Sequence, residues 1–164
     1  MAVQICIDAG ILIKQIVPEE YSDRAAALWE HAIEAEWEIV APALFWFEVT
    51  AVLRKKVYRR TLTPAEGELA LNTALEANVQ IISLPDLHRR AWQLADSFQQ
   101  PTAYDTHYLA LAETLQCDFW TADKRLYSAV KDAAPWVKWL GEFDPQYQTL
   151  HSTNAKDGSL TAES

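Results

Sequence analysis

Scarcity narrows this sequence before any motif does. Four glycines are scattered through 164 residues, so no G-x-x-x-x-G-K-[ST] loop exists to cradle a nucleoside triphosphate. The two cysteines, Cys6 and Cys117, make neither a disulfide framework nor a zinc pattern; a reduced protein with both thiols buried is expected. No apolar run approaches the roughly 18 residues of a membrane span. The start of the chain lacks the basic end and apolar stretch of a signal peptide. A cytoplasmic protein with no membrane contact is the expectation. Basic charge is also short: 14 Lys and Arg face 23 Asp and Glu, a net charge of −9. That disfavours coating of nucleic acid by bulk charge.

What is present suits one folded domain, since half of the residues are hydrophobic. Short β-rich stretches at residues 3–7, 37–41, 79–84, 119–121 and 137–140 read as strands. Between them lie helical patterns. One begins near Ser22, a good N-cap, and another spans 43–60. Thr63, Pro64 and Glu66 form an N-cap signature that opens a helix ending near Asn78. Residues 86–98 place Leu87, Ala91, Leu94 and Ala95 on one face, and 104–115 is helical again. This alternation predicts an α/β fold with a central parallel sheet of about five strands covered on both faces. The domain is expected to occupy residues 1–144, with 145–164 as a polar, flexible C-terminal tail. The large aromatics, Phe45, Trp46, Phe47, Trp29, Trp92, Trp120, Trp136 and Trp139, are expected to pack in the core.

In such a sheet, sites form beyond the carboxyl ends of the strands. Asp8 ends the first strand, and Asp123 follows the fourth. Asp105 opens a helix, while Glu48 sits inside an apolar helical stretch between Phe47 and Val49. Four acids gathered there would repel one another unless a cation neutralised them. All-oxygen ligation suits Mg²⁺ or Mn²⁺ rather than zinc, and such ions ionise water and stabilise phosphoryl charge. Each acid also has a plainer reading. Asp8, Asp105 and Asp123 can be helix or turn caps, and Glu48 can lie on a solvated helix edge.

Taken together, these motifs resemble the PIN-domain nucleases, and most of all the VapC toxins of bacterial toxin–antitoxin pairs. The resemblance is carried by the run from Ile7 to Lys14 around Asp8, by Glu48, by Tyr104-Asp105 with Tyr108 to Glu113, and by Thr121 to Leu126 around Asp123. Gly10 departs from the polar or small residue more usual at its place. The resemblance implies a three-layer α/β/α fold and metal-dependent cleavage of RNA phosphodiester bonds. It makes Asp8, Glu48, Asp105 and Asp123 the catalytic and metal-binding set, with Mg²⁺ or Mn²⁺ as cofactor. It further implies an RNA substrate, a cognate antitoxin and a homodimer. The alternative within this fold is a non-catalytic RNA-binding or regulatory protein.

Arg54, Lys55, Lys56, Arg59 and Arg60 form a run without acids. Seven residues complete nearly two helical turns, so Lys55 lies along the axis from Glu48, and Arg59 falls near the same line about 16 Å away. Lys55 and Arg59 are therefore candidates to contact RNA phosphates, with Arg54 and Lys56 less direct. The plainer reading is a solvated helix end that complements the dipole. Thr121, near Asp123, is placed to bond a carboxylate or a metal-held water, and equally to bond only the backbone at its strand end. His107, two residues after Asp105, lies on a different helix face and reads as a surface histidine. A phosphoaccepting receiver domain fails because Asp8 is followed by Ala9 and Gly10 and no lysine follows the fifth strand. A haloacid-dehalogenase-like phosphatase fails because no second Asp stands two positions after Asp8.

Overall fold

The computed structural model describes residues 2–144. The tail expected over 145–164 lies outside the described residues. β1 (Gln4–Ile7) leads through Asp8 into α1 (Ala9–Ile16), followed by α2 (Ser22–Glu34), β2 (Glu38–Ala41) and α3 (Leu44–Tyr58). Next come α4 (Pro64–Leu75), β3 (Gln80–Ile81), α5 (Leu87–Ser97) and α6 (Tyr104–Leu115). β4 (Asp118–Thr121), α7 (Lys124–Val130) and β5 (Val137–Trp139) complete the described fold, with a 3₁₀ turn over Leu140–Glu142.

The five strands form one parallel sheet in the order β3-β2-β1-β4-β5. The chain builds outward from β1 on one side, then returns to build on the other. The carboxyl end of β1 beside β4 is thus the point where strand order reverses, the usual crevice of an open α/β sheet. Helical layers flank the sheet in a three-layer α/β/α arrangement. α1 packs against α2, α3 and α4, while α5 and α6 pack as a pair with α6 against β1 and β4. No described helix is long and apolar enough to cross a membrane.

Local chemistry sets the boundaries. Thr63 and Glu66 exchange side-chain and backbone bonds in a capping box, with Pro64 at the first helical position. That helix ends at Leu75, three residues before the expected Asn78. Ser22 is not the cap of α2. Tyr21 holds that position with φ 65°, and the Ser22 hydroxyl instead donates to Val17 O at 3.1 Å and accepts from Glu19 N at 2.9 Å. β3 shrinks to two exposed residues because it is an edge strand paired on one side only. Arg90 grips Glu113 through two bonds of 2.6 and 2.7 Å, tying α5 to α6.

The core is a continuous cluster that includes Phe45, Tyr108 and Phe119, the last two stacked at 5.5 Å. Three of the aromatics expected there lie outside it: Trp139, whose ring meets Tyr21 and Tyr127 instead, Phe47 and Trp92. Phe47 and Trp92 are each 74% exposed, because their helices turn the neighbouring positions inward instead. Cys6 is buried as expected, but Cys117 is only partly so.

Candidate active site

Asp8 is the best-held of the four acids. It caps α1 by accepting from Ile11 N at 3.1 Å through Oδ1. Its Oδ2 accepts from the Thr121 hydroxyl at 2.5 Å and from Ala122 N at 3.1 Å. The cap reading is therefore realised, and the same side chain is also tied to the loop after β4. Thr121 is fully buried and also accepts from Asp123 N at 2.9 Å. Its hydroxyl links the loop ends that carry Asp8 and Asp123. Asp123 caps α7 with Oδ1, accepting from Arg125 N at 2.8 Å and Leu126 N at 3.3 Å. Asp105 is not a cap: Ala103 precedes α6 in that role, and Asp105 lies in the first turn, where the helix dipole favours an acid.

Glu48 does have a partner. The buried Tyr108 donates its hydroxyl to Glu48 Oε2 at 2.9 Å, joining α6 to α3. Sequence reading missed this role for Tyr108. The available signal was its place one turn after Asp105, which puts both on one helix face.

Electrostatics ties the four together. Burial raises the Asp8 carboxyl from 3.8 to about 6 against its three hydrogen bonds, with Asp105 adding to the rise. Burial raises Glu48 to about 7, opposed by Tyr108 and reinforced by Asp105 and Asp8. Asp105 is also raised, by burial and then by Asp123. Among the described residues, no Lys or Arg forms an ion pair with any of the four. Asp8, Glu48 and Asp123 line one cleft of about 360 Å³ together with Gly10, Val52 and Ala122. Gly10 is there for space: a Cβ on it would lie 2.8 Å from the Ala122 Cβ. Its lack of a side chain lets α1 and the loop after β4 approach closely.

The donor chemistry fits a hard divalent cation, since it is all oxygen and its negative charge is uncompensated. As they stand, the carboxylates do not close into a cage: among the described residues, no three His, Cys, Asp or Glu side chains form a ready metal-binding group.

The basic run divides. Arg54, Lys55 and Arg59 are exposed, and Lys55 continues the face of α3 on which Glu48 and Val52 line the cleft. Arg59 stands just beyond the last residue of α3 as its cap. Lys56 turns elsewhere. It pairs with Glu19 at 2.6 Å and is partly buried, with Lys14 on the same carboxylate at 3.4 Å. His107 sits apart from the acids, its Nε2 2.9 Å from His88 Nδ1.

Comparison with known proteins agrees with this architecture. Ribonuclease VapC9 of Mycobacterium tuberculosis is 36% identical over 85 residues, 52% of this chain and 65% of that protein. The VapC ribonuclease Mb0985 of Mycobacterium bovis matches to the same extent. The chain thus aligns with slightly under two thirds of the length of these relatives. Among solved structures, PAE2754 of Pyrobaculum aerophilum superposes with a TM-score of 0.63 at 18% identity, over 93% of this chain and 99% of that one. FitAcB of Neisseria gonorrhoeae gives a TM-score of 0.56 at 14% identity, over 87% and 99%. These two likenesses concern the fold. The model of the PIN domain family matches residues 5–132, from the first strand past the last helix of the acidic cleft, and the chain belongs to that family.

Proposed function

We propose that this PIN domain is a metal-dependent endoribonuclease, acting as the toxin of a toxin–antitoxin pair. The observation that supports it most is the crowding of Asp8, Glu48 and Asp105 at the reversal point of the sheet, each raised by burial and neighbouring negative charge with no basic side chain paired to it. Such an arrangement costs stability unless a cation joins it. Asp8, Glu48, Asp105 and Asp123 would hold Mg²⁺ or Mn²⁺. Held there, such an ion would supply the positive charge that favours ionised water and offsets charge on the phosphoryl group.

The chain's own groups prepare that site. Thr121, Ile11 N and Ala122 N fix both oxygens of Asp8. Tyr108 orients Glu48 while favouring its charged form. Lys55 and Arg59, exposed along and beyond the cleft face of α3, would take RNA phosphates. The relatives named as VapC ribonucleases support RNA as substrate; a cognate antitoxin and a second copy of the chain are the partners that complete the proposal.

The test is cleavage of single-stranded RNA with Mn²⁺, with EDTA, and with an Asp105→Asn variant. Cleavage is expected only with metal and only in the wild type. Persistence in EDTA, or in an Asp8→Asn, Asp105→Asn double variant that folds normally, overturns the proposal.

A further inference from the structure

A second cavity of about 360 Å³ lies between α3, α5 and α6. Its walls include Leu44, Phe47, Leu84 and Tyr104, with His88 and His107 as polar groups. Phe47 directly precedes Glu48, and Tyr104 directly precedes Asp105. α3 therefore turns Glu48 to the acidic cleft and its neighbour Phe47 to the pocket, while α6 sets Tyr104 in the pocket next to Asp105, whose charge acts on Asp8 and Glu48. The pocket and the cleft therefore meet on α3, where the Cα atoms of Phe47 and Glu48 lie about 3.8 Å apart.

The pocket's chemistry is unusual for this chain. No carboxylate lines it, although the sequence has 23 Asp and Glu. Phe47 and Tyr104 are 74% and 62% exposed, which leaves their rings available for stacking. Its volume falls within the roughly 300–1,000 Å³ of small-ligand pockets, which pair apolar walls with a few placed polar groups. The histidines supply the polar end. His107 Nδ1 meets Ala103 O, so that nitrogen carries the proton and Nε2 accepts. His88 Nδ1 then donates to His107 Nε2 at 2.9 Å. A neutral His88 is left with Nε2 as an acceptor for an N–H group.

We infer that this pocket receives an unpaired base of the RNA beside the scissile phosphate, stacked on Phe47 and Tyr104 and read by the His88–His107 pair. The inference rests on the nuclease reading. Sequence-selective RNA recognition uses splayed bases on aromatic side chains with hydrogen bonds to the base edge. The pocket has both parts and no charge that would repel the adjoining phosphates.

Two measurements separate this inference from the reading beneath it. Nucleoside 5′-monophosphates titrated into the wild-type protein in EDTA are expected to shift the imidazole NMR signals of His88 and His107. No shift with any of the four overturns the pocket. In cleavage of a degenerate RNA with Mn²⁺, Phe47→Ala and Tyr104→Ala are expected to raise KM about tenfold and flatten base preference beside the cut, the size of one lost base–aromatic stack. Unchanged KM and preference overturn the pocket and leave the nuclease standing. Shifted histidines in a wild type that cleaves nothing sink the nuclease and keep the pocket. A halved mass for Phe47→Ala in light scattering, with base preference intact, gives the face to a second copy of the chain and overturns the inference.

Discussion

Replacing Asp8 by Asn is expected to reverse its effect on stability as pH changes. The rise of the Asp8 carboxyl from 3.8 to about 6 corresponds to about 3 kcal/mol of excess cost for its charged form in the folded protein. A raised carboxyl contributes stability that is whole below the unfolded value near 3.8 and gone above about 6. Wild-type protein without metal should therefore lose stability across that window, while Asp8→Asn should not lose it through this residue. Asn has one acceptor oxygen where Asp8 serves three donors, Ile11 N, the Thr121 hydroxyl and Ala122 N. Its amide cannot satisfy the N–H facing it, and a lost cap costs about 1 kcal/mol. Below pH 4 the variant should be less stable than wild type by about 1 kcal/mol. At pH 8 it should be more stable by about 2 kcal/mol, or roughly 4–8 °C in Tm for a chain of this size. Thermal unfolding followed by circular dichroism in EDTA reads the difference. Adding Mn²⁺ at pH 8 should then stabilise only the wild type, by about 2.7 kcal/mol at a hundredfold excess over Kd. A difference between the two proteins that does not change with pH, or a variant stabilised by Mn²⁺ as much as wild type, would refute the reasoning.

Tyr108→Phe removes the hydroxyl that favours the charged form of Glu48, so Glu48 should rise above its present value of about 7. The pH dependence of Mn²⁺ affinity, measured by calorimetry between pH 6 and 8, should move to higher pH in the variant; an unmoved profile counts against Glu48 as a ligand. Lys55→Ala with Arg59→Ala should flatten the dependence of log K on log salt for single-stranded RNA by about 0.7 per contact, and an unchanged slope rejects both contacts. Gly67→Ala would place a Cβ 2.2 Å from Val57 Cγ2, forcing α3 and α4 apart at a cost of about 1–3 kcal/mol. Pairing it with Val57→Ala should recover most of the overpacking loss in urea denaturation, whereas equal costs in both backgrounds would disprove the close contact.

Where the sequence was legible, one element dictated its own structure. The expected bounds of the helix at 104–115 coincide with α6, Tyr104–Leu115. The four residues expected on the inner face of the next helix upstream, Leu87, Ala91, Leu94 and Ala95, are the buried set of α5. Their periodicity is local. The five-stranded parallel sheet followed from the alternation of elements alone. Less legible were features decided between distant segments. Lys56 looks like its neighbours in sequence, yet Glu19 claims it from 37 residues away. Glu48 and Tyr108 meet across 60 residues. The last strand before α5 was expected over six residues and pairs over two, because an edge offers a partner on one side only. Trp92 has the bulk of a core residue but falls off the face set by Leu87, Ala91, Leu94 and Ala95, so its position along α5 outweighs its size. Gly10 looked like a departure; the need for it became visible only once Ala122 stood opposite.

The hydroxyl of Thr121 reaches Asp8 across 113 residues of chain. No shorter piece starting at the N-terminus contains both ends of that bond. During synthesis at about 5–20 residues per second, roughly ten seconds separate the emergence of the first acid from that of the last. Throughout that interval Asp8 and Asp123 cannot stand together, so the acidic cleft is a property of the finished domain alone.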